Sequence, residues 1–283
     1  MAMAASPRFS SSAKALWVVA AVVTVGVAAA FGAIALTDGG DDDRNEVARY
    51  IVDVNRVQGS LAGELTRVNR AYASFRAAAA QPMGQVAELR EAERTLGMVA
   101  QQIRALHVPD GAARLHKELL RLFALQSDFA RELTQLAEYL PRLRDAQREL
   151  APAGARVQRE LAAAETPAGQ AHAFGRYAAT LDQVAKSLER LSAPPVLEAA
   201  RRAEVARLRE LATLSAKLRT AIEEQQPGAV RRLSADISRV AAVRGATRAE
   251  RDAVLAYNDR LKAIGAQRSA VERERRRLNR ELA

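Results

Sequence analysis

The chain has 283 residues, with 43 basic against 33 acidic side chains and a formal net charge of +10. It contains no cysteine, which excludes disulfides, thiolate metal sites, cysteine nucleophiles and a lipidated N-terminal cysteine. Alanine fills 62 positions while aromatic residues make up only 4%, a balance that favours long helices over strands.

Residues 1–14 carry Arg8 and Lys14 and no acid, and they read as a short cytoplasmic N-terminus. Ala15 to Leu36 follows as 22 residues without a charge. As a helix it reaches about 33 Å, enough to cross a hydrocarbon core of about 30 Å. Trp17 near one end suits the membrane interface. The alternative is a cleaved leader, because Ala33-Ile34-Ala35 has the small-x-small form that signal peptidases accept. The run is longer than an ordinary leader core of about 7–15 residues, so a membrane helix over 15–36 is the reading adopted. The basic residues nearest the run lie upstream, which places the N-terminus inside and the rest outside, although Arg44, Arg49 and Arg56 follow downstream. Residues 37–46 form an acidic linker, DGGDDD at its centre, without the alternating ligands of a calcium loop.

From Val47 onward apolar residues recur with a 4-3 spacing: Val47, Ile51, Val54, Gln58, Leu61, Leu65, Val68, Tyr72, Phe75 and Ala79. This is the seam of a helix that packs in coiled-coil fashion. Gln81-Pro82-Met83-Gly84 ends it. A second series, Leu89, Ala92, Leu96, Val99, Ile103 and Leu106, stops at Val108-Pro109-Asp110-Gly111. A third runs from Leu115 through Leu122, Phe129, Leu136 and Leu143 to Leu150, keeping phase across Pro141 and beyond Pro152. That phase implies either a kinked helix or two helices on one axis.

The chain then repeats itself. Residues 82–109 align without gaps on 167–194, with nine identities that include Pro82/Pro167, Gly84/Gly169 and Pro109/Pro194. Accordingly Phe174 to Leu191 repeats the second helix, and Leu208, Leu211, Ser215, Leu218 and Ile222 repeat the third. The expected division is repeat 1 over 47–140, repeat 2 over 141–226, and a long C-terminal helix with a basic tail over 227–283, where Gly245 is a potential break. The expected fold is all-α: a transmembrane helix, then long antiparallel helices in tandem three-helix, spectrin-like repeats or in a compact helical bundle.

Arg273, Arg275, Arg276, Arg277 and Arg280 cluster near the C-terminus among Glu272, Glu274 and Glu281. They offer a contact for polyanions. The plainer reading is a solvated tail whose cations suit the negative end of the helix dipole. His107, His116 and His172 form no metal motif, and no phosphate loop, nucleophile elbow or dinucleotide fingerprint occurs. No catalytic, metal or cofactor residue is therefore assigned, and the expectation is a protein that is not an enzyme.

The segment Tyr50-Ile51-Val52-Asp53-Val54-Asn55-Arg56-Val57-Gln58, with Leu-x-x-Pro breaks at Leu106–Pro109 and Leu191–Pro194, carries one resemblance. The chain resembles single-span, membrane-anchored, Ala-rich helical proteins of high-GC Gram-positive bacteria. That likeness implies a cell-envelope protein and brings no functional residues with it. The layout is also similar to septation-ring regulators, which join one span to spectrin-like repeats held in the cytoplasm. The expected function is a non-enzymatic, membrane-anchored scaffold or interaction protein of the cell envelope, working through helical seams with a protein partner or with itself. The alternatives are a cytoplasm-facing tethered scaffold for division or DNA work, and a secreted helical protein if the leader is cleaved.

Overall fold

Apolar stripes of seven-residue period bury only against other helices, and helices are what this chain forms. The computed structural model describes residues 42–77, 86–242 and 246–283, and among them every regular element is helical. The expected membrane helix over 15–36, with the breaks at Gln81–Gly84 and Gly245, lies outside the described residues. Among the described residues no helix is long and apolar enough to cross a membrane.

The helices group into two units, residues 42–138 with 256–283, and residues 139–255. The first holds α1 (Asp42–Ser60), α2 (Ala62–Ala77), α3 (Val86–Arg104), most of α4 (Ala113–Gln147) and the larger part of α9 (Ala246–Leu282). The second holds the end of α4, then α5 (Leu150–Ala163), α6 (Pro167–Glu189), α7 (Glu198–Glu223), α8 (Pro227–Ala242) and the start of α9.

In the first unit, Arg90 pairs with Glu138 and Glu93 with Arg131, so α3 runs antiparallel to α4. Val47 lies against Gly111 and Tyr50 meets His116, so α1 runs parallel to α4. Arg260 pairs with Glu132 and Glu274 with Arg114, so α9 also returns antiparallel. The result is a four-helix bundle, with α1 and α2 together as its first member. Ile51, Leu89, Leu96, Val99, Ile103, Leu115, Leu119, Leu122 and Phe123 are each at most 1% exposed. Fully burying such a side chain stabilises the fold by about 1.5–3 kcal/mol.

The seam expected from Val47 onward is buried at Val47, Ile51, Val54, Gln58, Leu65 and Val68, but the helix is not unbroken. It turns at Leu61, where Ser60 Oγ donates to the Val57 carbonyl at 2.9 Å. A side chain bonding its own backbone competes with the helix ladder, and Gly59 and Gly63 flank the site. Pro141 sits inside α4, whereas the break comes later, at Arg148-Glu149. Pro152 then falls in the first turn of α5, where its missing N–H leaves no bond unmade.

The second unit buries Leu150, Leu181, Val184, Leu188, Val205, Leu208 and Leu211 in one cluster, and Val157, Phe174, Leu218 and Ile222 in another. Thr166 caps α6 by accepting from Gly169 N at 3.2 Å, with Pro167 at the first helical position. α7 ends at a left-handed Gln225 (φ 53°), with Gln226 N–H donating to the Ala221 carbonyl at 2.9 Å and Gln225 N–H to the Ile222 carbonyl at 3.1 Å. That is the paired-bond C-cap for which glycine is the usual choice.

The 85-residue repeat is visible in the backbone. α3 ends at Arg104 and α6 at Glu189; 3-10 turns follow at Asp110–Ala112 and Pro195–Leu197; α4 and α7 begin at Ala113 and Glu198. Ala112 N–H donates to the Pro109 carbonyl at 2.9 Å, and Leu197 N–H to the Pro194 carbonyl at 2.8 Å. Each proline fixes the backbone of the turn and leaves its own carbonyl as the acceptor that closes it.

Candidate functional site: the charged seam of the C-terminal helix

In the first unit, α9 presents two columns of seven-residue period. Tyr257, Ile264, Val271 and Leu278 form the apolar column and are 1–6% exposed. Arg260, Gln267 and Glu274 form a second column beside it, polar at all three positions. Such residues in a seam weaken packing but fix register, because each demands a specific partner.

The partners are on α4 and the turn before it. Arg260 pairs with Glu132. Gln267 Nε2 donates to the Glu118 carbonyl at 2.9 Å and also to its carboxylate. Glu274 is 4% exposed; Arg277 donates to it at 2.7 and 2.9 Å, and Arg114 lies 3.6 Å away. Arg277 also donates to the Glu281 carboxylate at 2.7 Å and to the Gly111 carbonyl at 3.2 Å. The Glu274 hydrogen bond holds the Arg277 guanidinium above its ordinary pKa, partly offset by desolvation. A Cβ on Gly111 would sit 2.9 Å from Val47 Cγ2, so the close approach of α1 to this turn requires glycine there. Arg44 closes the end of the unit by donating to the Glu281 carbonyl at 3.2 Å.

The five arginines singled out from the sequence therefore divide. Arg275 is 5% exposed and meets Glu272 at 3.4 Å; burial pulls its guanidinium below the ordinary arginine value, opposed by Glu272. Arg277 is committed to the network just described. Arg273, Arg276 and Arg280 are exposed, with Arg280 Nε donating to the Arg276 carbonyl at 3.3 Å. The tail is thus not simply solvated; its inner face completes a bundle core. Heptad spacing of Arg260, Gln267 and Glu274 was the one available signal, hidden because those positions are polar.

The histidines are scattered. His107 and His172 are exposed, and among the described residues no group of three metal-ligating side chains forms. His116 Nδ1 lies 3.1 Å from the Tyr50 hydroxyl, with the rings edge-on at 6.0 Å. Burial pushes the Tyr50 hydroxyl pKa up; burial, then the Arg104 charge, pushes His116 down. Both effects favour a neutral pair.

At the equivalent place in the second unit, 85 residues on, stands Arg201. Its guanidinium donates to the Leu188 and Glu189 carbonyls at 3.3 and 3.0 Å, satisfying the end of α6, and to Glu198 at 2.6 and 2.8 Å. The Arg201 bonds first, and then one from Arg202 at 2.8 Å, hold the Glu198 carboxyl at about 2. Tyr139, also in reach of this charge, has its hydroxyl pushed up to about 12, chiefly by burial. An open hollow between α7 and α8, lined among others by Lys217, Arg232, Leu233 and Asp236, mixes both signs of charge.

What this geometry offers is charged helical surface around buried apolar cores. No protein-family model matches the chain, and neither does any curated protein or solved structure.

Proposed function

We propose that the protein is a non-enzymatic scaffold of the cell envelope, held to the membrane by the apolar run 15–36 and presenting its helical units outside. The single observation that carries the anchor is the 22-residue uncharged run itself, separated from α1 by five residues. Support for a scaffold comes from the two filled cores and from exposed faces rich in paired charges, which suit contacts with another protein or a second copy.

The test is carbonate extraction of membranes containing the full chain, together with reporter fusions at its C-terminus. Retention in the membrane and an active alkaline phosphatase fusion are expected. Release of the intact chain by carbonate, or its cleavage after Ala35 in the cell, would refute the anchor, and fluorescence from a reporter that matures only in the cytoplasm would reverse the orientation.

A further inference from the structure

The net positive charge of the first unit is confined to one end. Residues 42–50, 104–121 and 268–283 carry 12 basic and 8 acidic side chains, whereas the rest of that unit carries nine of each. This is the end where α1 and α4 begin and where α3 and α9 finish. Of its acids, Glu272, Glu274 and Glu281 are engaged by Arg275, Arg114 and Arg277, and Glu118 accepts from Gln267. Asp42, Asp43 and Glu46 remain at the start of α1, and Asp110 on the turn before α4.

Arg273, Arg276 and Arg280 are spaced three and four apart, so they share the outer face of α9 over about two turns. Arg114, Lys117 and Arg121 share a face of α4 in the same way, and all three are exposed. Because Arg114 meets Glu274 and Glu118 meets Gln267, that α4 face borders α9. The six cations therefore lie on the exposed faces of two adjoining helices at one end of the unit.

Five residues separate Leu36 from the start of α1. A chain that short spans at most about 20 Å even fully extended. If the run 15–36 sits in a bilayer, this end of the unit is held within about two Debye lengths of the headgroups. We infer that the Arg114–Lys117–Arg121 and Arg273–Arg276–Arg280 face is a docking surface for anionic lipid headgroups, which lays the first unit against the membrane that anchors it. The inference rests on the anchor reading above. Lipid is favoured over nucleic acid because the tether places headgroups there, and the face carries no aromatic side chain on which a base could stack.

The absence of cysteine makes the test clean, since Ser269→Cys on the exposed face of α9 gives a single labelling site. The full chain carrying this label is reconstituted in nanodiscs of phosphatidylcholine alone or with about one-third phosphatidylglycerol, with a quencher on a neutral headgroup. Quenching is expected to rise about twofold or more in the anionic discs and to fall back at ~0.5 M salt, where the Debye length shortens to a few ångströms. Joint Arg273→Glu, Arg276→Glu and Arg280→Glu substitution abolishes the rise, while the three Arg→Lys changes keep it; circular dichroism confirms that both variants remain helical. A chain that enters the discs but shows equal quenching in both lipids overturns the docking surface and leaves the anchor standing. A chain that fails to enter either disc overturns both. Binding of a DNA duplex that the charge reversal removes, with no lipid effect, assigns the face to nucleic acid and likewise overturns the proposal.

Discussion

The two units share a junction, residue for residue at an offset of 85, and close their cores in different ways. In the second unit the last full helix, α8, follows α7 after only three residues, through the cap at Gln225. Its apolar residues Val230, Leu233 and Ile237 are only partly buried. In the first unit the closing helix is α9, and its contact Gln267–Glu118 joins residues 149 apart in sequence. There Tyr257, Ile264, Val271 and Leu278 are nearly sealed, and polar partners are paired one by one along α4. A helix joined by a tight turn has its register set by the turn, so a partly covered apolar stripe suffices. A helix arriving from far along the chain has no such guide, and charged and amide pairs that fit in one register supply it. The same contrast holds at the shared junction, where His116 meets a buried tyrosine and Arg201 ties down carbonyls of α6.

Ending the chain at Leu255 tests the closure by α9 most severely. The four α9 seam residues then leave the first unit, a loss of about 1.5–3 kcal/mol each and comparable to the whole stability of a domain. Amide exchange over α1 and α3 should become unprotected while α6 and α7 stay protected. Unchanged protection in α3 would mean that α9 is not part of that core.

Next come paired core truncations. Leu119→Ala in the first unit and Leu208→Ala in the second, both at most 1% exposed, should each cost about 2–5 kcal/mol. Exchange mapped by mass spectrometry should show each loss strongest in its own unit. Equal loss in both from either variant would dissolve the distinction.

A smaller effect separates the junctions by pH. Because the folded-state pKa of His116 lies below its ordinary 6.5, the unfolded chain takes up its proton first as pH falls. This contribution is present above about pH 6.5 and is lost as pH drops from there towards the folded value. Urea midpoints at pH 7.5 and 5 should therefore differ less in His116→Gln than in the parent; an unchanged difference would show that the pair does not titrate. Arg201 stays charged throughout and adds no such slope.

The turn into α8 can be tested by a single substitution. Gln225 holds a left-handed conformation that side chains resist, so Gln225→Gly should stabilise the second unit by about 0.5–1 kcal/mol in thermal or urea unfolding. A loss of stability would mean that the glutamine side chain contributes more than its backbone costs.

Much of this was legible in the residues. The seams of α3 and α4 were readable because Leu, Ile and Val at 4-3 spacing can be satisfied only by burial against a neighbour, and they are buried. The junction at Pro109 and Pro194 was readable because proline constrains the backbone wherever it stands. The break at Leu61 was not, since Gly59, Ser60 and Gly63 act on the backbone while the apolar rhythm continues over them. The division of the five arginines was not either. Arg275 and Arg276 are chemically identical neighbours, and only the helix rotation that buries Val271 and Leu278 turns one inward and the other out.

By itself the sequence determined the helices, their apolar faces and the recurrence of one turn, because each depends on residues within a few positions of one another. Which helix closes which core was decided by tertiary structure alone. Gln267 and Glu118 have no local reason to meet, and their pairing is favourable only once the seams around them have excluded water.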